Sequence, residues 1–212
     1  MIRTAGCLLR LTTAGRLAPT LVRGFRAAQP WAILEYFNLF PGTFKDGPPP
    51  ACPFDLNARQ LRSEFLRLQA KTHPDLARTD EDKAKFEDAS AKLNKAYSTL
   101  SQPLSRALYL LEEQGFGVQE DDSKRMTQDV ELLAELYDVH EQVEEATTEE
   151  EIAQIKEEND ERIADIQRDV SAAFDANDLD AAKLATIRLK YWVNVQNMLR
   201  DWEPGKPVVM IH

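Results

Sequence analysis

The chain has 212 residues, of which 43% are hydrophobic and 29% are charged, and it contains only 8 glycines. This length suits one large domain or two small ones, and the composition favours helices over a turn-rich β fold. No apolar run reaches the roughly 20 residues that span a bilayer, so no stable membrane association is expected.

Residues that commonly catalyse reactions or bind metals are sparse. Cys7 and Cys52 cannot form a disulfide framework, and the three scattered histidines lack the spacing of a metal site. Glycine-rich phosphate loops and a GxSxG elbow are absent from the sequence. We therefore expect no catalytic residue, no metal and no cofactor.

The first 30 residues differ in charge from the remainder. They hold five arginines and no acid, whereas the other residues carry 21 basic and 36 acidic side chains, a net charge of −15. Arginines spaced out among leucines are typical of a mitochondrial transit peptide, which we place at residues 1–28 and which predicts the mitochondrial matrix. A disordered basic arm is the alternative. The acidic remainder predicts no nucleic-acid partner.

An apolar helix is predicted first, at residues 31–40 (WAILEYFNLF). Pro41-Gly42 ends it, because this dipeptide interrupts regular structure. Residues 41–53 contain five prolines and two glycines, so an irregular loop is expected there.

The second predicted helix starts at Asn57, which forms a capping-box-like pattern with Gln60. It ends before Pro74, which disfavours a helical residue at its preceding position. An apolar stripe at i, i+4 and i+7 is expected to be buried, and consists of Leu61, Phe65 and Leu68. On the arc away from that stripe lie Arg59, Arg62, Arg67 and Lys71.

Two more helices are predicted before a polar linker at residues 115–127. One covers about 82–100, with a stripe of Phe86, Ala89, Leu93, Tyr97 and Leu100. The other covers 104–114, opened by Pro103 and closed by Gly115.

Three longer helices are predicted at residues 128–203, before a tail at 204–212. They cover about 128–145, 148–174 and 178–202, and Thr148 with Glu151 caps the second. Short connections between amphipathic helices predict an antiparallel three-helix bundle. With no strand pattern in the sequence, the fold class is all-α.

The tripeptide His73-Pro74-Asp75 follows the basic helix and precedes a polar loop and a second amphipathic helix. In this context residues 31–114 resemble a J-domain: EYFNLF (35–40) is similar to its first helix, and KLNKAYSTLSQPLSRALYLL (92–111) to its second half in HscB-type co-chaperones. The resemblance implies that His73, Pro74 and Asp75, with the basic helix face, bind a mitochondrial DnaK-type chaperone and speed its ATP hydrolysis. The basic face can steer onto an acidic surface, and Asp75 can accept from an arginine.

A second candidate surface lies on the first bundle helix. Leu132, Leu136, Val139 and Val143 make a complete core stripe, which leaves Leu133 and Tyr137 on the adjacent flank. Periodicity alone leaves open whether this flank is a partner surface or a second buried face.

The resemblance to HscB-type co-chaperones favours a partner surface. In that family this helix, with an aromatic residue on the last helix, binds the IscU-type iron–sulfur scaffold. The implied contacts are Leu133, Tyr137, Asp138, Glu141, Glu145 and Tyr191, with Leu132 at the edge. Either Tyr191 or Trp192 is expected to face the core. DWEPGKP (201–207) resembles fungal mitochondrial members especially.

Some features depart from the family pattern. The chain lacks the CxxC pairs by which some animal members bind metal, and residues 41–53 look like an insertion relative to compact members. Position 137 is aromatic where relatives often have an aliphatic residue. The apolar stretch 104–111 is expected to pack on both sides and join the two domains rigidly in an L shape.

The resulting hypothesis is a mitochondrial J-type co-chaperone that presents the scaffold to the chaperone. A general J-protein or import-motor component with another client is the first alternative, because it needs no patch at Leu133 and Tyr137. A structural coiled-coil protein is the second, although Asn159 and the short spans disfavour a long rod.

Overall fold

Helices form every regular element in the part of the chain that the computed structural model describes, residues 34–77, 79–119, 122 and 129–204. They are α1 (Glu35–Asn38), α2 (Ala58–Gln69), α3 (Asp80–Ser101), α4 (Pro103–Glu113), α5 (Val130–Glu145), α6 (Glu149–Asp175) and α7 (Leu179–Arg200), with a 3₁₀ turn at Pro74–Leu76. The all-α prediction is confirmed. The predicted leader, most of the linker and the tail after Pro204 lie outside the described residues.

Local capping signals set several helix ends. Thr148 and Glu151 form the predicted capping box, in which each side chain accepts from the other residue's backbone N–H. Pro103 occupies the first turn of α4, and Gly115 follows that helix with a φ of 78°. The predicted boundaries at these positions are therefore confirmed.

The N-terminal part is built on the hairpin of α2 and α3. Leu61 and Leu93 are buried, while Phe65 is half-buried and stacks on Tyr97 with ring centroids 4.2 Å apart. Gln69 donates to the Ser90 hydroxyl at 2.8 Å across the same interface. The contact with α3 therefore buries the apolar stripe of α2 only in part.

The first helix is shorter than predicted. Within the described residues it covers Glu35–Asn38, and residues 31–33 lie outside them. The chain turns directly afterwards, because the Phe40 carbonyl accepts from the Thr43 and Phe44 amides. Phe37, Phe40 and Phe44 are all buried, so burial of these rings accounts for the early turn.

The C-terminal part is a bundle of α5, α6 and α7. Since three residues join α6 to α7 and the two pack along their lengths, they run antiparallel. Asn177 adopts a φ of 55° at this connection, where asparagine is one of the few residues that tolerate the left-handed region. The predicted bundle is confirmed.

The two parts meet where α4 packs against α7. A described part of the predicted linker adds to this junction, since the Asp122 carboxylate pairs with Lys183 of α7 at 2.6 Å. A further contact between the two parts follows the loop at 41–53, where Phe54 stacks on Phe174 of α6. The residues expected to form an irregular insertion therefore lead into a contact with the bundle.

Candidate functional site

The basic face of α2 is presented as a continuous surface. Asn57 caps the helix by accepting from the Arg59 and Gln60 amides. Burial of Leu61 on one side turns the opposite side outward. All four predicted cationic side chains are exposed: Arg59, Arg62 and Arg67 on α2 itself, and Lys71 in the turn that follows it.

Glu64 removes the only acid of α2 from this surface. Its side chain is buried and its carboxylate accepts from the Gly42 amide, the Thr43 amide and the Thr43 hydroxyl, each at 2.7 Å. A Cβ on Gly42 would lie 2.8 Å from the Glu64 Oε1 atom, so a larger residue there would displace this carboxylate. The buried carboxylate, which the periodicity did not identify, ties the start of the 41–53 loop to α2.

The His73-Pro74-Asp75 motif forms an exposed turn after α2. The Leu76 amide donates to the His73 carbonyl at 3.0 Å, which closes the 3₁₀ turn. The side chains of His73 and Asp75 are 53% and 87% exposed. Both polar groups are therefore presented to solvent, as a docking motif requires.

The two side chains of this turn also contact each other. His73 Nδ1 lies 3.3 Å from the Asp75 amide nitrogen and 3.3 Å from Asp75 Oδ2. A neutral imidazole can accept from the amide through this nitrogen, whereas a protonated one can donate to the carboxylate. Either form holds the two residues as one unit, and most of the Asp75 carboxylate surface stays free to accept from a partner.

Helix α5 separates a buried stripe from an exposed flank. Val139 and Val143 are buried and Leu136 is half-buried, as the core stripe predicts. On the flank, Leu133 is half-buried and Tyr137 is 68% exposed. The acids expected around them are all exposed: Asp138, Glu141 and Glu145.

The structure corrects the prediction that Leu132 lies at the edge of the partner surface. Its side chain is only 4% exposed, so it belongs to the core and offers almost no surface at the edge of the patch. The reason is its place on the stripe of Leu136 and Val139, which turns it towards α6 and α7.

The choice between Tyr191 and Trp192 is also settled. Trp192 is 2% exposed, its carbonyl accepts from the Asn159 side chain at 3.4 Å, and the Arg162 guanidinium lies 5.1 Å from its ring centroid. Tyr191, one position earlier, is half-buried and keeps part of its surface exposed. It is therefore the residue of the pair that can contact a partner.

Val130 is an apolar residue of this flank that sequence reasoning missed. It is 78% exposed, and it precedes Leu133 and Tyr137 by three and seven residues, which places all three on one side of α5. Its spacing of three and seven residues from Leu133 and Tyr137 is the signal in the sequence that could have identified it.

The start of α5 is tied to α7 close to Tyr191. Asp129 caps α5 by accepting from the Leu132 amide, and its other oxygen accepts from Arg188 at 2.6 Å. The bond from Arg188, followed by that from Leu132, lowers the pKa of the Asp129 carboxyl below its ordinary value. The same pair raises the pKa of Arg188. The exposed flank of α5 is therefore held at a defined place on α7.

Beside this ion pair lies a cavity of about 230 Å³ between the three bundle helices, with Glu131, Glu135 and Arg162 in its lining. Within the described residues no three His, Cys, Asp or Glu side chains are grouped so as to hold a metal ion. The described helices include none with the length and apolarity to cross a membrane.

Comparison with known proteins assigns the chain to a family. The profile described as the HSCB C-terminal oligomerisation domain matches residues 128–200. The mitochondrial J-type co-chaperone JAC1 of Saccharomyces cerevisiae is 33% identical over 84% of this chain and 93% of its own length. The mitochondrial jac1 of Schizosaccharomyces pombe is 37% identical over 79% of this chain and 73% of its own.

Solved structures agree with the sequence relatives. The Jac1 co-chaperone from Saccharomyces cerevisiae superimposes with a TM-score of 0.65 at 30% identity, over 81% of this chain and 98% of that one. Human co-chaperone HscB gives a TM-score of 0.68 at 29% identity, over 78% of this chain and 80% of the human one. The predicted resemblance to HscB-type co-chaperones, and to fungal mitochondrial members in particular, is confirmed. The chain belongs to the HscB and Jac1 family of J-type co-chaperones.

Proposed function

We propose that this chain is a mitochondrial matrix co-chaperone of iron–sulfur cluster assembly. It binds an IscU-type scaffold, delivers it to a DnaK-type chaperone and stimulates the ATPase of that chaperone, which promotes cluster transfer. The chain itself is not an enzyme, since the nucleotide and the residues that hydrolyse it belong to the partner. Family membership supports this role, and so does the mitochondrial location in the names of the two fungal relatives.

The chaperone side of the proposal is supported by the geometry of the exposed turn. His73 and Asp75 follow a helix whose outward face carries three arginines and whose only acid is buried, and the exposed Lys71 lies between that helix and the turn. Opposite charges steer an encounter before contact, and a carboxylate can then accept a charge-assisted bond from an arginine. The arrangement suits an acidic ATPase surface.

The scaffold side is supported by the exposed flank of α5. Tyr137 is large, aromatic and 68% exposed, and acids surround it. Exposed aromatic residues of this kind commonly anchor protein interfaces. We assign Leu133, Tyr137 and Tyr191 to the apolar contact, and Asp138, Glu141 and Glu145 to its rim.

The observation that carries the proposal is that one chain presents both surfaces through packed domains. Since α4 packs on α7 and Phe54 stacks on Phe174, the domain with the His73–Asp75 turn is attached to the domain with the α5 flank. Joining two contacts in one molecule raises the local concentration of scaffold at the chaperone.

The test is ATP turnover by a mitochondrial DnaK-type chaperone, with and without apo-scaffold. The full chain should accelerate turnover, and scaffold should enhance it further. His73→Gln should abolish acceleration while leaving scaffold binding intact. No acceleration by the unmodified chain would exclude the proposal. Acceleration without scaffold binding would favour a general mitochondrial J-protein.

A further inference from the structure

Large apolar side chains are exposed at two positions that flank His73-Pro74-Asp75 along the chain. Leu66 of α2 is 56% exposed, and Leu76, the last residue of the 3₁₀ turn, is 55% exposed. One precedes the motif along the chain and the other follows it directly. Neither buries its full surface in the core, so each keeps apolar area that a partner could cover.

Leu66 is the largest apolar residue on the cationic face of α2. It lines a shallow groove on the exposed side of that helix, together with Arg59, Arg62, Ser63, Arg67 and Ala70. The contact with α3 is made on another side of α2, where Phe65 stacks on Tyr97. The groove therefore pairs a leucine with three positive charges and no acid.

Leu76 is held against the motif by the backbone. Its amide donates to the His73 carbonyl at 3.0 Å, and the turn that contains it packs on α3. Its side chain is consequently presented beside the exposed groups of His73 and Asp75. A partner that reaches Asp75 with an arginine comes within contact range of this leucine.

We propose that Leu66 and Leu76 are apolar contact residues for the ATPase domain of the DnaK-type chaperone, and that they determine how tightly it is held. This inference rests on the proposed function. Charge complementarity identifies the occupant, because a surface of arginines around a leucine fits an acidic surface with apolar depressions. Salt screens the contribution of the arginines, whereas an apolar contact is short-range and stays in place.

The two kinds of residue therefore have separable effects. Cations act mainly on the rate of encounter and its dependence on salt. Buried apolar contacts act mainly on dissociation. Loss of the leucines should raise the concentration of co-chaperone needed for half-maximal stimulation by the same factor at low and at high salt, whereas the effect of Arg62→Gln should shrink as salt rises.

The experiment titrates the full chain into the chaperone ATPase assay with scaffold omitted, so that the bundle takes no part. The variant is Leu66→Gln with Leu76→Gln, because glutamine matches leucine in length and in helix propensity. Leu184→Gln is the matched control, since Leu184 of α7 is also 56% exposed. Thermal unfolding checks that the unmodified chain and every variant are folded.

We expect the double variant to need about tenfold more protein for half-maximal stimulation, equivalent to about 1.4 kcal/mol, with the maximal rate and the Leu184→Gln titration unchanged. A double variant that titrates like the unmodified chain overturns the inference and leaves the proposed function standing. A shift that vanishes at high salt also overturns it. Absence of stimulation by the unmodified chain is the distinct result that removes the proposed function itself.

Discussion

The ring of Phe54 lies parallel to the ring of Phe174, with centroids 4.9 Å apart and an angle of 5° between their planes. The Arg106 guanidinium lies 4.4 Å from the Phe54 centroid, and the Phe54 amide donates to Asp175 at 2.8 Å. Burial lowers the pKa of Arg106 to about 10, which still leaves it charged at neutral pH. Phe54 therefore connects α4 of the N-terminal domain with α6 of the bundle.

Phe54→Ala should destabilise the chain by about 3–5 kcal/mol, as is usual when a buried phenylalanine is truncated. It also leaves the Arg106 cation without the ring beneath it. Phe54→Leu, which keeps most of the apolar volume, should cost less. Denaturant unfolding measures both, and equal stability of Phe54→Ala and the unmodified chain would show that this contact contributes nothing to the junction.

Glu64→Gln should destabilise the turn at residues 42–43. Glutamine keeps one acceptor oxygen, but its NH₂ group replaces the other and faces donors of Gly42 or Thr43. The donors that lose their acceptor should cost about 1–3 kcal/mol of stability. Glu87→Gln, at an exposed position of α3, is the control. Hydrogen exchange should show faster exchange of the Gly42 and Thr43 amides in the first variant only, and unchanged protection would contradict the proposed role of this carboxylate.

Asp129→Asn should reduce stability at neutral pH and not in strong acid. The side chain of asparagine still caps α5, so the substitution removes the charge that Arg188 binds. Because the folded pKa of Asp129 is lowered from 3.8, its ionised form contributes stability above that value. This contribution is lost as pH falls through the lower folded pKa.

Thermal melts of both chains over this acidic range measure the effect. In an Arg188→Gln background the same substitution should change stability less, because the partner is already gone. A difference between the Asp129→Asn and unmodified chains that is independent of pH would rule out this ion pair as its source.

Leu133→Ala with Tyr137→Ala should weaken binding of apo-scaffold by about 1,000-fold, if each residue independently contributes the roughly 2 kcal/mol typical of an interface anchor. Chaperone stimulation measured without scaffold should not change. Glu157→Ala, at an exposed position of α6, should bind normally. Calorimetric titration tests this, and unaltered affinity of the double variant would remove the α5 flank from the scaffold surface.

Features that depend on near neighbours in the chain were determined by the sequence itself. The capping box of Thr148 and Glu151, the position of Pro103 and the left-handed Gly115 each follow from interactions within a few residues. The exposure of His73 and Asp75 also followed, because a proline-containing turn after a basic helix has little apolar surface to bury.

Only the tertiary structure decided which large side chains face inward and what the residues after α1 contact. Helical periodicity places Leu132 beside Leu133 and Tyr191 beside Trp192 on neighbouring arcs, and packing against a third helix determines which of each pair is buried. Glu64 meets Gly42, and Phe54 meets Phe174, across separations of 22 and 120 residues along the chain. No local pattern encodes such contacts, because they form only once the helices have packed.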